Sequence, residues 1–393
     1  MPSTIYCNLR TPDGSPAEIH CSNGRFVLAA PAGSEIVDCG GDLLLPALVE
    51  PHVHLDKTLW GMPWRPNSAG PALKDFIANE RQVLREIEVP IVKRAGLLLE
   101  QMVSRGTLHV RCHIDIGPDI GVKHVEAMLE LRTAYGDVVD MQFVAFPQTG
   151  LLIHPGTAEL MEEALRMGVE TVGGLDPAGI DNDPIAHLKL IFGMAERHGK
   201  GVDIHLHDRG ELGLWQIARI ADFTEGAGLA GKVMISHAYC LGMFSESRIE
   251  KLGQRLAALG ISLMTSVPAD TTVPPVEYLT SLGVNVCCGS DGIRDAWSPS
   301  GNGDMLERAF LTGFRFDWVK DAQLEAAFAC ATTHGAKALG LAGYGIAPCN
   351  IAHFMFLPAE TIGDALGRRP LERTVVSHGR IVAQDGTFLH SRQ

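Results

Sequence analysis

The stretch Leu43–His54, LLLPALVEPHVH, constrains the fold more than any other part of the sequence. It joins an apolar run to two histidines, His52 and His54, that are separated by one residue. Because side chains alternate between the faces of a strand, the two imidazoles point the same way, about 7 Å apart. Such a pair can share one metal ion, although a lone pair is more often solvated at a polar strand end. The stretch therefore predicts a buried strand carrying two ligands, provided that further ligands follow downstream.

Length, charge and composition limit the class of protein. The chain has 393 residues, enough for one large domain with an appendage or for two domains. It is 46% hydrophobic and 20% charged, which is typical of a soluble globular protein. A net charge of −13 argues against nucleic acid and anionic membranes as partners, but not against a small neutral heterocycle.

The sequence also predicts where the chain resides. It contains no uncharged apolar run of about 18 residues, so we expect no membrane span. The first ten residues, MPSTIYCNLR, lack the basic and apolar regions of a signal peptide. The nine cysteines form no CxxC pair, which indicates reduced thiols and a cytoplasmic location.

From Leu43 onward, short apolar runs alternate with segments at helical spacing. The apolar runs lie at 43–54, 109–116, 138–146, 170–176, 202–208, 232–238, 261–267 and 285–291. Helices are predicted over 73–103, 125–135, 157–167, 184–198, 212–224, 246–259, 275–282 and 305–314. An open doubly wound sheet permits the same alternation, but eight buried strands, each trailed by a helix, favour an α/β fold of the (β/α)₈ TIM-barrel type.

Both ends of the chain lack the alternation of apolar runs and helical segments seen in the central part. Residues 2–46 form short strand patterns separated by turn signals, and strand patterns return at 353–360, 373–383 and 386–390. We expect these segments to pair in a small β-sandwich domain built from both termini, rather than in two independent units. The predicted domains are therefore 1–46 plus 347–393 for the β-domain and 47–346 for the catalytic barrel.

Polar residues follow most of the predicted barrel strands, where barrel active sites are built. After the first strand, which ends in the paired histidines, these residues are His113 and Asp115, Gln148, Asp176, His205 with His207 and Asp208, Ser236 with His237, and Ser290 with Asp291. We expect His113 to be a hydrogen-bonded barrel histidine, and Asp115 and Asp176 can serve as structural carboxylates.

Three imidazoles and a carboxylate form the ligand set of a hydrolytic metal centre. This set is supplied by His52, His54, His205 and Asp291. A cation held there lowers the pKa of water, so that hydroxide is available near neutral pH. His237 can act as a base or as a further ligand, and His207 shares a strand face with His205 and could replace it.

These residues and their neighbours make the chain resemble the metal-dependent amidohydrolase superfamily, within it the cytosine deaminase and N-isopropylammelide isopropylaminohydrolase group. The resemblance is carried by the motifs LLPALVEPHVHLDK, VAFPQTG, VGGLDPA, VDIHLHD, ISHAYC and CGSDGIRDAWSPSGNGDML. It implies one Zn²⁺ or Fe²⁺ on the four ligands above. It also implies that His237 lies beside the reacting water and substrate, that Gln148 touches the ring, and that Trp297 closes the pocket.

Two positions depart from cytosine deaminases. Asp208 stands where they carry a proton-shuttling glutamate, and Gly292 stands where they carry a second aspartate. At these two positions the chain resembles N-isopropylammelide isopropylaminohydrolase, an enzyme of triazine breakdown, better than it resembles cytosine deaminases. That enzyme also has a lysine at the position of Lys57, which is expected to bind a ring oxygen or move a proton. The strand-four motif has no lysine, so the resemblance implies a single metal and disfavours hydantoinase-like and dihydroorotase-like activities.

The sequence thus predicts a metal-dependent hydrolytic deaminase that releases ammonia or an alkylamine from a cytosine-like or triazine-like ring. Asp208, His207 and Lys57 are the candidate proton shuttles, Asp291 and His237 act beside the metal, and the ring is oriented by Gln148, Lys57 and Trp297. Cleavage of a cyclic or linear amide remains an alternative, as does a catalytically inactive homologue that serves as a binding protein. A homo-oligomer is possible.

Overall fold

Two β-sheets organise the chain in the computed structural model, which describes residues 3–70 and 73–389. In these residues the strands are β1 (Thr4–Arg10), β2 (Pro16–Ser22), β3 (Arg25–Val27), β4 (Glu35–Pro46), β5 (Leu48–Val53), β6 (Thr107–Asp115), β7 (Asp140–Phe146), β8 (Thr171–Leu175), β9 (Gly201–Leu206), β10 (Val233–His237), β11 (Ser262–Thr265), β12 (Asn285–Cys288), β13 (Phe354–Leu357), β14 (Thr374–Ser377), β15 (Arg380–Gln384) and β16 (Thr387–Phe388).

The helices lie mainly between the strands of the second sheet. They are α1 (Leu73–Arg85), α2 (Ile91–Ser104), α3 (Lys123–Tyr135), α4 (Thr157–Met167), α5 (Pro184–His198), α6 (Gly210–Gly226), α7 (Glu246–Ala258), α8 (Val276–Ser281), α9 (Met305–Arg315), α10 (Asp321–Cys330), α11 (Thr333–Ala338) and α12 (Ile362–Arg368). No helix in the described ranges is both long and apolar enough to cross a membrane.

Strands β5 to β12 form a parallel sheet in chain order, and this sheet curls into a barrel. Its two ends meet where Val53 bridges Asp291 in parallel fashion. Every residue of β6 is buried, as expected for a strand covered by helices outside and by packed side chains inside. The predicted eight-stranded α/β barrel is confirmed.

The stretch Leu43–His54 is divided between the two sheets. Residues up to Pro46 belong to β4 of the first sheet, and Leu48–Val53 forms the first barrel strand. Pro46 lacks the N–H that a ladder would use, which suits the last position of a strand. The single residue between the two strands, Ala47, accepts a hydrogen bond at its carbonyl from the Tyr344 hydroxyl. The apolar run that begins at Leu43 therefore contributes side chains to two hydrophobic cores.

The single helix predicted over 73–103 is wrong, because the structure has two helices there. Helix α1 ends at Arg85 and α2 begins at Ile91, immediately after Pro90. A proline at this place lacks the N–H of a helical hydrogen bond and disfavours helical backbone in the residue before it. Helix α1 lies near the carboxyl ends of the barrel strands, where its Arg81 donates to Asp115, the last residue of β6.

The first sheet is mixed and combines both ends of the chain, in the order β16-β15-β14-β13-β4-β1-β2-β3. At its centre, β4 runs parallel to β1 and antiparallel to β13. Side chains alternate: Leu45 packs in the barrel core, whereas Leu44 packs with Tyr6 and Phe354 on the other face. The predicted joining of both termini in one β-unit is confirmed. The domain boundaries stay a prediction, and His390, at the end of the last predicted strand, lies outside the described residues.

Candidate active site

A cavity of about 380 Å³ opens at the carboxyl ends of the barrel strands. Side chains from β5, β9, β10 and the segment after β12 reach its floor, and residues from α1 and from the loop after β12 support its wall. This is the end of the barrel where active sites are built.

The four predicted metal ligands converge on this floor. One atom each from His52, His54, His205 and Asp291 lies within 4.8 Å of the others. Asp291 Oδ1 is 3.6 Å from His52 Nε2 and 3.4 Å from His54 Nε2, and His54 Nε2 is 3.4 Å from His205 Nε2. Bonds of 2.0–2.1 Å in a tetrahedron place neighbouring ligand atoms about 3.4 Å apart, so the spacing fits one divalent cation.

A hydrogen-bond chain behind His52 selects the tautomer of its neutral ring. Ser236 Oγ donates to Asp203 Oδ1 at 3.0 Å, so the hydroxyl accepts from His52 Nδ1–H at 2.9 Å. The lone pair of His52 Nε2 is then directed at Asp291, and this buried nitrogen has no hydrogen-bond partner in the described part of the chain. Outer partners of this kind orient metal-binding histidines.

The electrostatics of the floor favour neutral imidazoles beside an ionised carboxylate. Burial, together with the charges of neighbouring histidines, holds the pKa of His205 well below its usual value. Burial opposes ionisation of Asp291, but its contacts with His52 and His54 outweigh this effect, and its pKa lies well below normal. Metal binding requires both of these protonation states.

A buried carboxylate, Glu50, holds the two strand ends that carry the ligands. It accepts hydrogen bonds from the backbone N–H of His52 at 3.0 Å and of Ser290 at 3.0 and 3.1 Å. Burial raises the pKa of this group. No pattern in the sequence distinguishes Glu50 from an ordinary acidic residue at a strand end.

Two residues of the floor adopt left-handed backbone conformations that non-glycine residues rarely use. The φ angles are 73° at His237 and 61° at Asp291. Such conformations cost about 1–3 kcal/mol each and persist where the surrounding structure enforces them, often at functional sites. Here they bring both side chains toward each other, and His237 Nε2 lies 3.9 Å from Asp291 Oδ2.

His207 lines the cavity beside His237, with ring centroids 4.4 Å apart. Its Nδ1 donates to Asp176 Oδ2 at 2.8 Å, and its backbone N–H donates to Asp176 Oδ1 at 2.5 Å. Burial lowers the pKa of His207, but the negative charge of Asp176 outweighs this effect and the net pKa is raised. Asp176 is thus a supporting carboxylate, as expected, and His207 is not part of the four-ligand cluster.

Asp208 is placed differently from His207, although the two are adjacent in sequence. Its Oδ2 accepts from the Gly179 backbone N–H at 2.9 Å and from Gln216 Nε2 at 2.8 Å. The carboxylate does not line the cavity formed by the described residues. Its role as a proton shuttle stays a prediction, and the geometry favours His207.

Lys57, Gln148 and Trp297 all line the wall of the cavity. Lys57 Nζ donates to Gln148 Oε1 at 2.6 Å and lies 3.2 Å from Glu80 Oε2. Trp297 Nε1 donates to the same Glu80 oxygen at 2.6 Å. Glu80, on α1, is fully buried and connects the residues that the sequence predicted for substrate binding. It was missed because an acidic residue on an amphipathic helix has the pattern of a solvated one.

The remaining predicted strand-end residues support the barrel. Asp115 accepts from Arg81 at 2.6 Å and is a structural carboxylate. His113 is fully buried beside His52, but the expectation that it is hydrogen-bonded is not met, because neither ring nitrogen has a hydrogen-bond partner in the described chain. Next to the predicted ligand Asp291, the space that a side chain at Gly292 would need is filled by the Asp295 carboxylate, whose oxygen would lie 2.3 Å from a Cβ.

Comparison with known proteins agrees with this architecture. Residues 96–383 match the model of the amidohydrolase family. N-isopropylammelide isopropyl amidohydrolase of Pseudomonas sp. (strain ADP) is 32% identical over 361 residues, covering 89% of this chain and 88% of that protein. The uncharacterized protein YahJ of Escherichia coli (strain K12) is 38% identical over 277 residues, covering 70% of this chain and 60% of that protein.

Solved structures resemble this fold over nearly the whole chain. The crystal structure of N-isopropylammelide isopropylaminohydrolase from Burkholderia multivorans ATCC 17616 has a TM-score of 0.96 and 39% identity, covering 99% of this chain and 100% of that one. The 5-methylcytosine deaminase from Klebsiella pneumoniae liganded with 5-fluorocytosine has a TM-score of 0.84 and 27% identity, covering 99% of both chains.

The match to the family model and the similarity to these relatives define the class of protein. The chain belongs to the amidohydrolase family, and the predicted membership is confirmed. With it, the predicted class of hydrolase acting on carbon–nitrogen bonds other than peptide bonds is confirmed.

Proposed function

We propose that the chain is a metal-dependent aminohydrolase that releases ammonia or an alkylamine from a cytosine-like or triazine-like ring. The observation that carries the proposal is the convergence of His52, His54, His205 and Asp291 below a cavity with a lysine–glutamine wall. The names of the relatives, which include N-isopropylammelide isopropylaminohydrolase and 5-methylcytosine deaminase, support this substrate class.

A single divalent cation, Zn²⁺ or Fe²⁺, suits the catalytic site, because nitrogen and oxygen ligands accept both metals. Such a cation would supply Lewis acidity that lowers the pKa of water toward neutrality. The four ligands would hold it, and the Ser236–Asp203 chain would keep His52 in the tautomer that presents Nε2. The ligands thus leave His237 and His207 available for proton transfer.

The protein's own residues then move protons during the reaction. Asp291 and His237 lie together at the floor, where they can accept the proton that water loses as its oxygen bonds to the ring carbon. His207 lines the cavity in a fixed orientation, so it can deliver a proton to a ring nitrogen or to the departing nitrogen. The carbon–nitrogen bond breaks, and the amine leaves with its extra proton.

The wall residues orient the ring. Lys57 Nζ provides a positive donor to a ring oxygen, and Gln148, which accepts from it, still has its amide N–H groups to offer. The Trp297 side chain covers the cavity while its indole N–H remains paired with Glu80. A flat, neutral, oxygen-bearing heterocycle satisfies these groups better than a charged or extended substrate does.

The proposal can be tested with purified protein of measured metal content. A panel of amino-pyrimidines, amino-triazines and alkylamino-triazines should include substrates from which ammonia or alkylamine is released with the ring retained. His205→Ala should abolish release together with bound metal, whereas His154→Ala, at an exposed histidine, should change neither. Ring opening instead of amine release would support amide cleavage, and no metal and no turnover would support a non-catalytic binding protein.

Two further attributes remain predictions. All nine cysteines are free, which is compatible with the reducing compartment expected from the sequence. We propose a cytoplasmic location on this basis. Self-association is also a proposal, and size-exclusion chromatography with light scattering would measure it.

A further inference from the structure

A second cluster of histidines and a carboxylate lies at the opposite end of the barrel. His109 lies near the start of β6, and Asp140 pairs with it as the first residue of β7. His353 immediately precedes β13 of the terminal sheet. Since β6 rises about 3.3 Å per residue, His109 is about 20 Å from Asp115 at the active-site end of the same strand. The cluster is thus separate from the catalytic centre.

The spacing of these side chains matches that of a metal site. One ligand atom from each of His109, Asp140 and His353 lies within 4.8 Å of the others. Asp140 Oδ2 is 3.2 Å from His109 Nδ1 and 3.9 Å from His353 Nδ1. These distances lie around the separation of about 3.4 Å expected between neighbouring ligands of tetrahedral zinc.

An unpartnered nitrogen points to a missing ligand. His109 is 93% buried, and its Nδ1 has no hydrogen-bond partner in the described ranges, although Asp140 Oδ2 lies 3.2 Å away. A buried ring nitrogen that lacks a partner loses the hydrogen bond it would make in water. An ion placed between the nitrogen and the carboxylate would satisfy both.

Contacts at Nε2 of His353 leave its Nδ1 available as a ligand. Ser377 Oγ donates to the Val138 carbonyl at 2.6 Å, so it can accept from His353 Nε2–H at 3.2 Å. This arrangement leaves His353 Nδ1 without a proton, 3.5 Å from His109 Nε2 and 3.9 Å from Asp140 Oδ2. His378 also approaches Ser377 and His353 Nε2, at 3.1 and 3.2 Å, on the side away from Asp140.

A cavity of about 170 Å³ adjoins the cluster, lined in part by Tyr344, Leu341 and Ile351. The Asp140 side chain is 41% exposed, which provides an entry path from solvent. The volume accommodates a water molecule as a fourth ligand.

We propose that His109, Asp140 and His353 form a second, non-catalytic site for a divalent transition-metal ion of the Zn²⁺ type. Two imidazoles and one carboxylate suit borderline metals such as Zn²⁺ better than Mg²⁺ or Ca²⁺, which take oxygen ligands. The ion would join the start of two barrel strands to the sheet that the termini build. It would stabilise the docking of this sheet, because a ligand that binds only the folded chain favours that state.

The test is a metal count on the full chain, dialysed in a buffer that fixes free Zn²⁺. Wild type should hold two equivalents, and Asp140→Asn and His353→Gln should each hold one, with kcat unchanged and a lower melting temperature in zinc. His154→Gln, at an exposed histidine away from the cluster, is the matched control and should hold two. His205→Ala should retain the second equivalent although it loses activity.

Other outcomes overturn the proposal. One equivalent in wild type at saturating free Zn²⁺, with turnover intact, would mean that a shared proton rather than an ion satisfies the cluster. Two equivalents retained in both Asp140→Asn and His353→Gln would mean that the ligands are not those named here. Circular dichroism on each variant separates loss of the site from loss of the fold.

Discussion

Two adjacent residues at the end of β9 have different surroundings. His207 lines the cavity and is held by Asp176, whereas Asp208 is held by the Gly179 N–H and Gln216 outside it. We expect His207→Gln to lower kcat by about 10²- to 10⁴-fold, the usual range for a lost general acid or base. Asp208→Asn should have the smaller effect. Both variants should retain metal.

Steady-state kinetics on the active substrate from the amine-release screen, together with metal analysis, would check this pair. A larger loss of kcat in Asp208→Asn than in His207→Gln would contradict the assignment of His207 as the proton shuttle. It would indicate that the Asp208 carboxylate has this role. Loss of metal in either variant would place that residue among the groups that hold the ion.

Glu80, behind the wall of the cavity, is a titratable group that is not among the predicted metal ligands. Burial raises its pKa to about 7 from the usual 4.5, and Lys57 only partly offsets this. The folded chain thus binds this proton more tightly than the unfolded chain does. Below about pH 4.5 this tighter proton binding contributes fully to the free energy of unfolding. The contribution, up to about 3 kcal/mol, is lost as the pH rises to about 7.

The matched variant is Glu80→Gln, which keeps a side-chain oxygen for Trp297 but does not titrate. The difference in unfolding free energy, wild type minus variant, should fall as the pH rises from 4.5 to 7. Urea denaturation at several pH values would measure it. A difference that is constant or rises over this range would mean that the Lys57–Glu80 pair stays ionised throughout.

At the scale of elements, one buried arginine connects the terminal sheet to the barrel. Arg373, fully buried just before β14, donates from two nitrogens to the two oxygens of Asp304 at 2.8 Å each. Asp304 also caps α9 by accepting from the Leu306 N–H. Arg373→Met removes one partner and leaves a buried charge, so we expect a loss of about 3–5 kcal/mol.

Arg380→Met is the control, because its contact with Asp137, at 3.6 Å, is a surface ion pair whose loss should cost less than about 1 kcal/mol. Chemical denaturation of both variants would compare the two costs. Similar losses would show that the buried pair contributes little beyond its packing. The kcat of both variants should remain near that of wild type.

The elements also show what the sequence could predict. Strands and helices with a clear period were located closely, as in α4 and α5, whose bounds agree with the predicted ones. The break at Pro90 and the division of Leu43–His54 were missed, because hydrophobic periodicity does not indicate where a chain leaves one sheet for another. Glu50, Glu80 and Arg373 were missed for a related reason: their partners are distant in sequence, and only the fold brings them together.

For the whole molecule, metal at the catalytic site should support the closure of the barrel. The ligands come from β5, from β9 and from the segment after β12, so an ion held there links the first and last strands of the sheet. In an Asp140→Asn background, which limits binding to this site, chelation should lower the melting temperature. An ion at about 1,000 times its dissociation constant contributes about 4 kcal/mol.

Differential scanning calorimetry before and after chelation, and again after Zn²⁺ is restored, would check this expectation. A melting temperature that is the same in all three conditions, with turnover lost and regained, would mean that the ion serves the chemistry without supporting the fold. His205→Ala in the same Asp140→Asn background provides the control, since chelation should leave the melting temperature of this double variant unchanged.

The one-residue connection at Ala47 has a consequence for how this protein can evolve. Surface loops elsewhere can gain or lose residues, but between Pro46 and Leu48 any change of length forces one of the two sheets to slip. A slip of one residue in the barrel strand would turn both histidines of the HxH pair away from the cavity. We therefore expect natural variants to differ in amino acid at this position but never in the number of residues.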